Sequence, residues 1–155
     1  MTEIWFYHLE EGRAQDLLPD LLRRTLERGL TSSVHTPDAD QLQRLSGHLW
    51  AHEDVAFLPH GCDGDGNAAR QPIWLTAGAE APNGAAYRFY VDGVMPDLAS
   101  DARAAQRLLV VFSAADTAAT AAARVLWKEA RAAGHPVSYW QREPASGGWV
   151  NRASA

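Results

Sequence analysis

Two short runs constrain this chain most, Ile4-Trp5-Phe6-Tyr7-His8-Leu9 and Leu108-Leu109-Val110-Val111-Phe112, because both are almost unbroken in apolar residues. Rich in aromatic and β-branched side chains, each predicts a strand covered on both of its faces. Such a strand needs helices above and below it, and the intervening sequence supplies them. Apolar residues recur at Ala14, Leu17, Leu18, Leu21, Leu22 and Leu26 and stop at Gly29. That spacing predicts a helix with Asp16 as its cap and Pro19 in the first turn, where no intrahelical N–H is lost. Leu30 to His35 predicts a strand. Thr36 as cap and Pro37 at the first helical position then open a second helix, with Leu42, Leu45 and Leu49 on its buried side and Trp50 toward its flank.

From Asp54 to Gly61 the chain predicts an extended, partly apolar loop, and the glycine-rich stretch from Cys62 to Asn67 a mobile excursion. Pro72 to Thr76 and Tyr87 to Val91 predict strands on either side of a turn at Ala81 to Gly84. A short helix around Ser100 to Gln106 precedes the second apolar run. After it come a long helix from Asp116 to Gly134 and a last strand, Val137 to Trp140. Alternation of strand and helix predicts the α/β class, with a mostly parallel sheet and helices on both faces. At 155 residues the chain is large enough for one sizeable core. The expected organisation is a single domain over residues 1–143, followed by a loose tail from Pro144 to Ala155.

A net charge of −5 argues against a protein whose main task is to grip a nucleic-acid backbone, which needs a basic footprint. The one cysteine, Cys62, has no partner for an internal disulfide, and the N-terminal sequence lacks the pattern of a secretory signal. No apolar run approaches the roughly 20 residues needed to cross a bilayer. These features lead to the expectation of a cytoplasmic protein without a membrane partner.

The long helix carries a local exception to the acidic balance. At about 100° per residue, Thr117, Thr120, Arg124, Trp127, Lys128 and Arg131 share one polar and basic sector. The opposite side collects Ala118, Ala119, Ala122, Val125, Leu126, Ala130 and Ala133, a face of small residues suited to packing on a sheet, with Glu129 among them. The basic stripe with its indole suits either a solvated outer face or a surface that holds an acidic peptide or a phosphate chain.

Catalytic and cofactor motifs give little. The first strand-to-helix junction, His8-Leu9-Glu10-Glu11-Gly12-Arg13, has a single glycine and two carboxylates where a pyrophosphate requires free backbone N–H groups. Asp63, Asp65 and Asn67 imitate the start of a calcium loop, yet Ala68 and Trp74 stand where glycine and a bidentate glutamate belong. His48 and His52 share helical spacing without a third metal ligand. Cys62 lies among acidic residues that raise a thiol pKa. No cofactor or catalytic residue is expected. What stands out instead is aromatic: Trp50, Phe57, Leu58 and Pro59 along a helix end and loop, and Trp127 on the basic stripe. Aromatics flanked by polar groups are favoured interface anchors.

These residues resemble a known family, the chi subunit of bacterial DNA polymerase III. The resemblance rests on Leu49-Trp50, Phe57-Leu58-Pro59-His60-Gly61, Gln71-Pro72-Ile73-Trp74-Leu75-Thr76, Asn83-Gly84-Ala85, Arg124-Val125-Leu126-Trp127-Lys128, and Gly134-His135-Pro136-Val137-Ser138-Tyr139-Trp140. It implies a Rossmann-like fold and a non-catalytic accessory of the clamp loader. In that family the protein holds the acidic, phenylalanine-ended C-terminal tail of single-stranded-DNA-binding protein, so DNA is reached only indirectly. Carried over, the tail site comprises Arg124, Trp127 and Lys128, with Phe112 and Ser113 as pocket wall. Where this chain has Thr120, some members carry another basic residue, which implies either a lower tail affinity here or a greater share for Arg131. A second family contact, to the psi subunit and through it the clamp loader, maps to Trp50, Phe57, Leu58 and Pro59.

Overall fold

A computed structural model describes residues 2–51, 59–142 and 149–154. In chain order these form β1 (Glu3–Leu9), α1 (Ala14–Glu27), β2 (Ser32–His35), α2 (Ala39–Ala51), β3 (Gly61–Cys62), β4 (Ile73–Thr76), β5 (Tyr87–Val91), α3 (Leu98–Ala104), β6 (Arg107–Ser113), α4 (Thr117–Ala132), β7 (Val137–Arg142) and β8 (Trp149–Ser154). The strands make one eight-stranded sheet in the order β3-β4-β2-β5-β6-β1-β7-β8. Every pairing is parallel except that of β7 with β8. The two apolar runs are neighbours at its centre, with Ile4 beside Leu108 and Phe6 beside Val110. Their burial, complete over Leu108–Phe112 and relaxed to half-buried at Trp5 and His8, follows from their position: alternate residues feed separate cores on the two faces, one with α1 and α2, the other with α3 and α4. The class is α/β and Rossmann-like. Among the described residues no helix is long and apolar enough to cross a membrane.

Helix starts differ from the sequence expectation. Arg13, rather than Asp16, is the residue at the N-cap of α1, and the Asp16 carboxylate reaches back to accept the Arg13 backbone N–H at 3.0 Å. Pro19 therefore lies inside the helix and removes one interior hydrogen bond, at a site where its ring is buried in the core. In α2 the capping carboxylate belongs to Asp38, which accepts from the Gln41 N–H at 2.8 Å. Thr36 instead donates its hydroxyl to the Thr76 carbonyl across the sheet, so Pro37 precedes the helix.

Two further expectations are corrected. The segment after Gly61 is tied down: the Asp65 carboxylate accepts the Cys62 N–H and that of Asp63 accepts the Ala77 N–H, each at 2.8 Å. The carboxylates that imitated a calcium loop thus serve the backbone. The loose tail is also corrected over Trp149–Ser154, which pairs with β7 and covers an edge of the sheet that β7 would otherwise expose.

On the α4 side, α3 is fastened by an ion pair inside the core. Arg88 on β5 donates from Nη1 to Asp101 Oδ1 at 3.2 Å, and Asp101 Oδ2 accepts the Asp97 N–H at 2.9 Å. Both partners are buried. Removing one leaves the other charge uncompensated in a low-dielectric setting. Asp101→Ala is therefore expected to lower the unfolding free energy by about 3–5 kcal/mol in urea denaturation, and a loss below about 1 kcal/mol would contradict the role given to this pair.

Candidate functional site

The site begins with the way α4 meets the sheet. Asp116 caps the helix, its Oδ1 accepting the Ala119 N–H at 3.0 Å, and Gly134 ends it at φ +85, a conformation glycine adopts without strain. The inward stripe is Ala119, Ala123, Leu126 and Ala130. This corrects the apolar face expected from the sequence. Ala118, Ala133 and Glu129 are exposed, as is Val125 at 56%. Glu129 is accounted for by that rotation, since it points to solvent beside Val125. The expectation erred because alanine is nearly neutral in a periodicity, so two alanine-rich faces of one helix look alike.

With that stripe against β6 and β1, the neighbouring sector overhangs β7 and β8 and closes a cavity of about 360 Å³. It is lined by Phe6, Phe112, Thr120, Ala123, Arg124, Trp127, Lys128, Tyr139 and Ala153. The interior is aromatic. The Trp127 ring lies 5.6 Å from Phe6 and 6.2 Å from Tyr139, and Tyr139 stands 6.3 Å from Phe112. Trp127 is half-buried, whereas Arg124 and Lys128 are exposed at the rim with no hydrogen bond or ion pair among the described residues. An apolar slot with two unpaired cations at its mouth suits a ligand that joins an apolar group to a carboxylate.

Polar groups brace the pocket from beneath. His8 stacks on Phe112 at 5.0 Å and shares a hydrogen bond through Nδ1 with the Tyr139 hydroxyl. Gln141 Nε2 donates to Glu10 Oε1 at 2.6 Å. Burial pushes the Tyr139 phenol above its ordinary range, Glu10 adds to the shift and Arg124 opposes it. Tyr139 is accordingly a neutral wall at physiological pH.

The structure brings together Phe112, Thr120, Arg124, Trp127 and Lys128 of the residues singled out in the sequence. It does not bring Ser113 or Arg131 to them. Ser113 faces a different depression, with its Oγ accepting the Ala115 N–H at 3.3 Å, and Arg131 lies beside Gly134, His135 and Pro136 near the helix end. Sequence reasoning missed Phe6, Ala123, Tyr139 and Ala153 as lining. Tyr139 stood in a recognised motif, but only the pairing of β1 with β7 shows that it shares a face with Phe6.

Elsewhere, Trp50 is 56% exposed and rests on the His60 ring at 4.4 Å, and Pro59 is half-buried. Phe57, Leu58 and His52 lie outside the described residues. Among the described residues no cluster of three or more metal-ligating side chains occurs. The Cys62 thiol is pushed up, first by burial and then by Asp65 and Asp63, against a hydrogen bond from Ser46.

At the carboxyl ends of β1 and β6, where open α/β sheets hold ligands, lies a second cavity of about 260 Å³ lined by Gly12, Arg13, Arg44, Asp92, Ser113 and Asp116 among others. Two carboxylates face it. Burial raises the Asp92 pKa, Arg13 opposes, and Asp116 and Asp38 raise it further. Asp116 already occupies the N-terminus of α4, where a phosphate would bind.

Fold and cavity together define a Rossmann-like α/β domain with a cation-rimmed apolar slot beside α4. A family model described as DNA polymerase III chi subunit, HolC, matches residues 1–138, and the chain belongs to that family. A protein of Rickettsia prowazekii (strain Madrid E) described as "Probable DNA polymerase III subunit chi" is 28% identical over 85 residues, which is 55% of this chain and 52% of that protein. The chain is thus matched to about half the length of that relative.

Proposed function

We propose that this chain is a non-catalytic accessory subunit of DNA polymerase III that links the clamp loader to single-stranded-DNA-binding protein, acting in the cytoplasm at the replication fork. It does so by holding that protein's acidic, phenylalanine-ended C-terminal tail in the slot beside α4. One observation carries this reading: unpaired Arg124 and Lys128 border a cavity whose interior is Phe6, Phe112, Trp127 and Tyr139. A terminal phenylalanine presents a ring and a carboxylate from one residue. Burying the ring contributes about 1.5–3 kcal/mol, and a charge-assisted bond from Arg124 to the carboxylate about 1.5–3 kcal/mol more. Upstream acidic residues add an attraction that salt screens.

Two other readings draw less support. A nucleotide-binding enzyme would use the crevice at the strand ends, where the Asp116 carboxylate already takes the N–H groups at the start of α4 that a phosphate would need. Direct stacking of single-stranded nucleic acid on Trp127 needs an open ring face, and that ring is half-buried against Phe6 and Tyr139.

The exposed Trp50 supports a second contact, to a psi-like partner and through it the clamp loader. Its ring sits at the end of α2, away from the α4 slot, so one partner on each surface makes the chain a bridge.

An acidic peptide ending in phenylalanine is expected to bind in the micromolar range, about −8 kcal/mol by calorimetry. Binding should weaken with salt and vanish when the terminal phenylalanine is removed. Arg124→Ala and Trp127→Ala should each cost about 1–3 kcal/mol of affinity with folding intact. Absence of binding at near-millimolar peptide contradicts the assignment, as does tight binding of a mononucleotide. For the second surface, Trp50→Ala is expected to lose a protein partner in pull-down while still binding the peptide; equal recovery of every partner would return Trp50 to a structural role.

A further inference from the structure

Two residues that line the slot, Tyr139 and Ala153, come from outside the residues that the family model matches. Ala153 lies on β8, well beyond the matched residues 1–138, yet it lines the cavity together with Trp127 and Lys128. Simple alternation along β8 would not put it there. Trp149 stands on the α1 side of the sheet, where its ring meets Tyr7 edge-on at 4.9 Å. In an unbroken strand, residues 151 and 153 would follow Trp149 onto that side.

The pairing with β7 breaks instead. Arg142 pairs with Trp149, Gln141 with Val150 and Trp140 with Asn151, but Tyr139 pairs with Ala153. Arg152 is the extra residue, and such a bulge re-aims the side chains that follow it. Ala153 is thereby turned to the α4 side and stands next to Tyr139, whose ring forms the neighbouring wall. The position is exposed, so no core contact demands a small residue there. A methyl group at this point leaves room in the slot that a longer side chain would fill.

We infer that Ala153, turned inward by the bulge at Arg152, is a specificity-determining residue that sets how large an end side chain the slot accepts. This rests on the reading that the slot takes the end of an acidic peptide. The ring of the last residue enters the slot alongside Trp127 and Tyr139 while Arg124 holds its carboxylate, and the Ala153 methyl borders the ring on the β8 side. A bulkier residue at 153 competes with a phenyl ring for the same space and leaves a smaller end side chain largely unaffected.

The test titrates two acidic peptides, identical except for a final Phe or Val, against the unaltered chain, Ala153→Leu and Ala153→Gly, with thermal unfolding as a check on folding. The unaltered chain and Ala153→Gly are expected to prefer the Phe-ended peptide. Ala153→Leu should lose about tenfold or more for the Phe-ended peptide and much less for the Val-ended one, within the range set by a few methylene-sized clashes in an apolar pocket. Equal weakening of both peptides, or no change in either, would overturn the inference while leaving the peptide site standing. Failure of the unaltered chain to bind either peptide would remove the site itself and the inference with it.

Discussion

Helix α4 can lie close to the sheet because the stripe it turns inward is small, with Leu126 as the large side chain among Ala119, Ala123 and Ala130. That close seat governs the rest of the site. It leaves Trp127 half out of the core, wedged against Phe6 and Tyr139, and it holds Arg124 and Lys128 over the edge of β7 and β8. A larger residue at 130 would lift the helix, since that side chain is fully buried, whereas one at 123 would fill the cavity that Ala123 lines. The slot therefore depends on a feature with no chemistry of its own. The cations and the indole acquire a common target only because alanines bring them near the strands.

The sheet supplies the other half. Because α1 carries the chain from β1 toward β2 while α4 carries it from β6 over β1 to β7, the helices leave in opposite directions. Between their starts lies the strand-end crevice that nucleotide-binding relatives of this architecture use. Here Asp116 caps the start of α4 at that crevice, and the apolar, cation-rimmed cavity lies along the flank of α4 instead. Phosphate recognition at a helix N-terminus gives way to a slot along a helix flank, which suits a peptide end better than a nucleotide.

Much of this was legible in the sequence where the signal was strong and local. The unbroken runs around Phe6 and Val110 announced central strands, and Asp116 with Gly134 bounded α4 at both ends. The basic stripe was visible in the spacing of Arg124 and Lys128. Illegible were features decided by long-range pairing or by competition among similar residues. Asp16 looks like a cap and serves instead as the carboxylate that reaches back to Arg13. The rotation of α4 was misjudged because its alanines carry little periodic contrast. Strand β8 is an edge strand with exposed polar residues, which read as a tail. Ala153 and Phe6 share a cavity only through the order of β1, β7 and β8, which no local pattern encodes.

The most direct test of the central claim is a two-dimensional NMR titration of the isotope-labelled chain with an acidic, phenylalanine-ended peptide. The account predicts saturating shifts at the Trp127 indole N–H and at the backbone N–H groups of Ala123, Arg124 and Ala153, with Gly12 and Gly93 in the strand-end crevice unmoved. Shifts concentrated at Gly12, Gly93 and Ser113, with Trp127 unchanged, would contradict it.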